Sequence, residues 1–185
     1  VHTPSQHWGA RYLHDTHRDY GGYIVRAGGK SVFHCGDSAY FEGFKEIGER
    51  YDIDVALMPI GAYESPSGRD VHMNPEEAVA AFRDLGAQHM VPMHYGTFPL
   101  GCEPMDEPLD RLLAAGASAG LENAITVLRE GVPVSFWNHR AAAGNICQSA
   151  QSRDRMHHGV ELFVIPQAGK IEADGGCGKC RAVLC

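Results

Sequence analysis

Two short apolar runs flank a helix whose start can be read directly from the sequence, and few folds accommodate that order. Val55-Ala56-Leu57-Met58-Pro59-Ile60 is continuously apolar and strand-length, as expected for a buried strand. Asn74-Pro75-Glu76-Glu77 then carries a capping residue, a proline at the first helical position and a carboxylate three residues after the cap. Apolar Val79, Phe82 and Leu85 continue that helix, and Gly86 is a natural stop. His89 to Met93 reads as the next strand. Upstream, Gly22–Ala27 and Ser31–Cys35 form an expected hairpin around a Gly28-Gly29-Lys30 turn. Phe41, Phe44, Ile47 and Tyr51 have helical spacing. Leu109–Ala115 is expected as a further helix, ending near a glycine. Ile125–Leu128 and Val132–Phe136 are expected as closing strands around Gly131. Alternating strand and helix predicts an α/β class: a mixed sheet with helices on its outer face.

The 185 residues fit one domain with an appendage, and 44% hydrophobic content suffices for a core. A composition break near Trp137 places the boundary, giving units 1–137 and 138–185. The first holds 10 Lys+Arg against 19 Asp+Glu, and the second 6 against 4. The net charge of -7 argues against nucleic acid as a partner, because phosphate binding needs clustered basic residues. No stretch reaches the roughly 18 apolar residues of a membrane span. The six cysteines are not spaced as a secreted disulfide framework, so a reducing compartment is expected. Eleven histidines justify a search for metal.

Three candidates lie at loop or strand-end positions: His7, Asp37 and His94. Neutral imidazole and carboxylate suit zinc, and a carboxylate can also bridge two cations. Asp37 is therefore the natural shared ligand of a two-metal site, where paired ions hold a hydroxide between them. Other readings stay open on spacing alone. Asp37 after Gly36 also fits an ordinary turn, His7 beside Trp8 a packed surface histidine, and His72 a solvated residue before the Asn74 cap.

Five stretches occur in the order found in metallo-β-lactamase-fold hydrolases: Thr3-Pro4-Ser5-Gln6-His7-Trp8, Cys35-Gly36-Asp37-Ser38, Pro59-Ile60-Gly61-Ala62-Tyr63-Glu64, His72-Met73-Asn74-Pro75-Glu76-Glu77-Ala78 and Met93-His94-Tyr95-Gly96-Thr97-Phe98. Over residues 3–137 the chain most resembles the N-acylphosphatidylethanolamine phospholipase D-like branch. The resemblance implies that His7 ligates a first zinc, Asp37 bridges both, and His94 ligates the second. It implies that His72 contacts the substrate phosphate or a developing oxyanion. It further implies attack of metal-bound hydroxide on phosphorus, in a phosphodiesterase acting on N-acylphosphatidylethanolamine-like lipids.

The family's His-x-His-x-Asp-His stretch is not in this chain, and His14-Asp15-Thr16-His17 lacks its pattern. The expectation is therefore the C-terminal half of an αββα sandwich. Such a half would have lost one or both of the two Zn2+ ions of the complete site, and would be inactive and aggregation-prone alone. Expected partners are a small-molecule or lipid substrate, with peripheral membrane contact, and the missing N-terminal half. The expected location is cytoplasmic or peripheral to a membrane, with any targeting signal upstream of Val1. In the appendage, Gly176-Cys177-Gly178-Lys179-Cys180-Arg181 is similar to a stretch of plant-type ferredoxins. It lacks their other cysteines, since position 172 is Glu172 and the chain ends at Cys185. Cys177, Cys180, Cys185 and His158 could bind adventitious metal.

Overall fold

The computed structural model describes residues 1–8, 19–137, 161–164 and 181–184, the last two stretches as backbone only. His14-Asp15-Thr16-His17, His158, Cys177, Cys180 and Cys185 lie outside the described residues. The chain divides into a unit Val1–Val127 and a unit Leu128–Cys185.

The first unit is α/β, as the alternation predicts. Its sheet has the order β1 (His2–Thr3), β2 (Gly22–Ala27), β3 (Lys30–His34), β4 (Val55–Pro59) and β5 (His89–Met93). β1–β2 and β2–β3 are antiparallel, and β3–β4 and β4–β5 are parallel, so the sheet is mixed. Between the strands run α1 (Gly43–Arg50) and α2 (Pro75–Leu85), and α3 (Glu107–Ser118) follows β5.

α2 begins where its sequence says it must. The Asn74 side chain accepts from the Glu77 N–H at 2.8 Å, and the Glu77 carboxylate accepts from the Asn74 N–H at 3.0 Å. It ends at Gly86, whose φ of 60° lies in the left-handed region. Alternation along the strands sends Ile24, Phe33, Ala56, Met58 and Met90 to one face. There they join Phe44, Ile47, Ala78, Phe82, Leu85 and Leu112 in one core. Fully burying a side chain such as Phe33 or Phe44 contributes about 1.5–3 kcal/mol. All five residues of β4 are buried, so this strand is apolar on both faces.

Two expectations fail. α3 runs beyond Leu109–Ala115 because Gly116 lies inside it. A Cβ there would meet Ile125 Cδ1 at 2.4 Å, so this glycine permits close packing and does not end the helix. Ile125–Leu128 is not a strand. Only Ile125 bridges Met90, through Met90 N–H to Ala124 O and Thr126 N–H to Met90 O, each 2.8 Å. Val132–Phe136 is not a continuous strand either, and Pro133 within it cannot donate to a ladder. In the second unit, β6 (Glu161–Val164) pairs in parallel with β7 (Arg181–Leu184).

Candidate metal centre

The parallel strands β3, β4 and β5 bring their carboxyl ends to one edge of the sheet, the usual place for a site in such a sheet. Asp37 follows β3, the loop Ile60–Glu64 follows β4, and His94 follows β5 directly. His7 reaches the same edge through the Gln6–Ala39 bridge. His72 arrives on the segment between β4 and α2, just ahead of the Asn74 cap.

The structure gathers all four singled-out residues. His94 Nε2 lies 3.3 Å from Asp37 Oδ1, and His7 Nε2 lies 4.0 Å from Asp37 Oδ2. Asp37 thus turns one carboxylate oxygen to each histidine. The His72 ring stacks on His94 with centroids 5.2 Å apart and meets the His7 ring edge-on at 5.0 Å. Potential ligand atoms of His7, Asp37 and His72 lie within 4.8 Å of one another.

Electrostatics matches the packing. The hydrogen bond from His94 holds the Asp37 carboxyl below its usual range, against the opposing effect of burial. Burial would lower the His94 pKa, but its bond to Asp37 and the charges of Asp37 and Glu103 raise it overall. His72 is only 5% exposed. Burial first, and then the neighbouring His94 charge, push its pKa down to about 4, so at neutral pH it is an uncharged imidazole.

These residues fit a metal on three observations. His7 Nδ1 lies 3.1 Å from the Val71 carbonyl, which can only accept, so Nδ1 donates there and Nε2, facing Asp37, is the nitrogen placed for a metal. The buried Nδ1 atoms of His72 and His94 have no hydrogen-bond partner among the described residues. The donor set of imidazoles and a carboxylate is the kind that zinc and similar ions accept.

Two residues that hold the site escaped the sequence reading. Ser38, fully buried, joins three of the four segments. Its Oγ accepts from the Gln6 N–H at 2.9 Å and donates to the Ala39 carbonyl at 2.7 Å, and its own carbonyl accepts from the Met73 N–H at 2.9 Å. Its place directly after Asp37 was the available signal. Glu103 accepts from the N–H groups of Ala62 and Glu64 at 2.6 and 3.2 Å. About 40 residues of sequence separate it from that loop, and no local pattern marks it.

The sequence profile of the β-lactamase superfamily domain matches residues 1–95, just over half of the chain. The chain belongs to the β-lactamase superfamily. Within the superfamily it is 38% identical over 119 residues to an uncharacterized protein of Mycobacterium tuberculosis, covering 62% of this chain and 32% of that protein. It is 46% identical over 79 residues to a UPF0173 metal-dependent hydrolase of Pyrobaculum aerophilum, covering 43% of this chain and 32% of the relative. Among solved structures it resembles Igni18, a metallo hydrolase of the archaeon Ignicoccus hospitalis. That match has 32% identity and a TM-score of 0.50, and covers 69% of this chain and 48% of Igni18. This superfamily member spans about a third of the length of the curated relatives it matches.

Proposed function

We propose that the chain supplies the C-terminal half of a zinc-dependent hydrolase, a phospholipase D-type phosphodiesterase acting on N-acylphosphatidylethanolamine-like lipids. The observation that carries the reading is Asp37 standing between two histidines, with one oxygen toward His94 and the other toward His7. In this reading His7 would hold one ion, His94 a second, and Asp37 would bridge them. Bound zinc would supply Lewis acidity and a nucleophile at neutral pH. The neutral His72 ring, buried beside both histidines, would donate a hydrogen bond to a phosphate oxygen without adding charge. Exposed Trp8 and Phe98, each close in sequence to a metal-binding histidine, offer apolar surface to an acyl chain or a membrane. The similarity to metal-dependent hydrolases supports the reaction class.

A second reading has one specific observation in its favour. The ligand atoms of His7, Asp37 and His72 lie within 4.8 Å of one another, a grouping that could hold one ion with His72 as a ligand. His72→Ala separates the two roles: loss of metal marks a ligand, whereas loss of turnover at full metal content marks a substrate contact.

Alone, with one histidine per ion and a shared carboxylate, the chain is expected to bind zinc weakly. Calorimetric titration checks this, and submicromolar binding of two ions per chain would contradict it. The substrate is tested by joining residues 1–137 to an upstream half bearing His-x-His-x-Asp-His. Expected is release of N-acylethanolamine from lipid vesicles, abolished by His94→Ala. Cleavage of lactones or simple esters, with the phosphodiester left intact, would overturn the lipid reading.

A further inference from the structure

His94 has a φ of 59°, in the left-handed region that non-glycine residues enter only at an energetic cost. Such a conformation persists only where neighbours enforce it. The neighbour here is the loop after β4. The Ile60 N–H donates to the Met93 carbonyl at 3.1 Å, which ties the two strand ends together. Gly61 lies against the His94 backbone so closely that a Cβ would stand 2.3 Å from the His94 carbonyl oxygen. Ala62, the next residue, is itself left-handed at φ 63°. One left-handed residue, His94, thus lies at the contact, and the other, Ala62, directly follows the glycine that makes it.

One side chain from outside both strands fixes that loop. The two carboxylate oxygens of Glu103 separately accept the N–H groups of Ala62 and Glu64. Charged acceptors make the stronger class of such bonds. The chain Glu103, loop 61–64, His94 backbone, His94 ring, Asp37 is thus continuous. By contrast, the tie that joins His7, Asp37 and His72 runs through Ser38 and uses none of these atoms.

We infer that Glu103 is a positioning residue for the metal centre: by clamping the loop Ala62–Glu64 it keeps His94 aimed at Asp37. Both Glu103 oxygens are engaged by the loop amides. The inference rests on the reading of His7, Asp37 and His94 as metal ligands, so its test separates the two.

The full chain is prepared as wild type, Glu103→Ala and Glu103→Gln. The metal-free proteins are followed by amide hydrogen exchange at Ala62 and Glu64 and by the ring-nitrogen resonances of His7 and His94. Zn2+ affinity is then measured by calorimetry. In Glu103→Ala the two amides lose protection and the His94 resonance moves, while that of His7 stays. Zn2+ affinity falls about 10-fold or more, the range typical of groups that orient ligands from behind. Glu103→Gln, whose single amide oxygen can replace only part of the fork, is intermediate, and it carries the test should the alanine variant not fold. An unmoved His94 resonance with unchanged affinity in either folded variant overturns the clamp, and so does an equal shift of His7 and His94. If Zn2+ in large excess leaves the wild-type His94 resonance unmoved, the weak binding expected of this chain is absent and the metal reading fails by itself, while amide exchange and the metal-free His94 resonance still decide the clamp.

Discussion

The two ends of the Asp37 carboxylate are held in place by different means. Toward His7 and His72 the support is a set of hydrogen bonds in ordinary geometry: Ser38 ties the segments at Gln6, Ala39 and Met73, and the Val71 carbonyl fixes the His7 ring. Toward His94 the support is a strained residue, a close glycine contact and a carboxylate that holds the facing loop. The first corner is stable because ordinary geometry satisfies its polar groups. The second must be compelled, and therefore depends on groups that act through the backbone, Gly61 and Glu103.

The comparison makes its strongest prediction at the residue the two corners share. Asp37→Asn removes the charge that both histidines face, and Zn2+ affinity should fall more than about 100-fold, beyond the usual effect of an outer residue. Calorimetry checks this; retention of wild-type affinity would mean that the corners do not form one site.

Gly61→Ala comes next and should strike one corner alone. The added methyl group meets the His94 carbonyl, which belongs to the backbone and cannot swing aside. Overpacking of this kind costs about 1–3 kcal/mol. Denaturant unfolding should show that loss, and the ring resonance of His94 should move while that of His7 does not.

Ser38→Ala is the converse. It leaves the Gln6 N–H without its acceptor, for about 1–3 kcal/mol. His7 and His72 should shift and His94 should hold; a uniform response of all three would erase the distinction between corners.

The smallest effect is in acid. Arg111 binds Glu76 of α2 and Glu107 of its own helix, and the Tyr63 hydroxyl, from the loop beside His94, donates to Glu107 at 2.9 Å. The bond from Arg111 is the main reason that Glu76 and Glu107 both titrate below their ordinary value of 4.5. A folded-state pKa below the unfolded one means that the unfolded chain binds more protons in that window. The stabilisation is therefore fully present above pH 4.5 and is lost as pH falls through the folded values. Arg111→Ala should flatten this part of the pH–stability curve by a small amount, since the pair is largely exposed and screened.

What the sequence revealed follows the division between local pattern and contact across the fold. Periodicity predicted β2 to β5, α1 and α2, because those elements answer to local spacing and, at Asn74 and Glu77, to a cap written in four residues. The end of α3 was misread because a glycine has the same letter whether it stops a helix or lets Ile125 approach one. The expected strand at 125–128 reduces to one bridge, because its pairing depends on where β5 runs and not on its own apolar pattern. His7, Asp37, His72 and His94 stood out as residue types beside turns and strand ends. Ser38 and Glu103 did not, since a buried serine and a half-exposed glutamate look ordinary until the backbone groups they bind come within reach. Both corners rest on contacts between segments far apart in sequence, so the support of neither was readable.

The most direct test of the central claim, that two separately supported corners make one metal centre, is a Zn2+ titration of the chain read at the ring nitrogens of His7, His72 and His94. The account predicts that His7 and His94 move along one binding curve, with His72, packed against both, changing on the same curve. Movement of His94 while His7 and His72 keep their metal-free positions would contradict it.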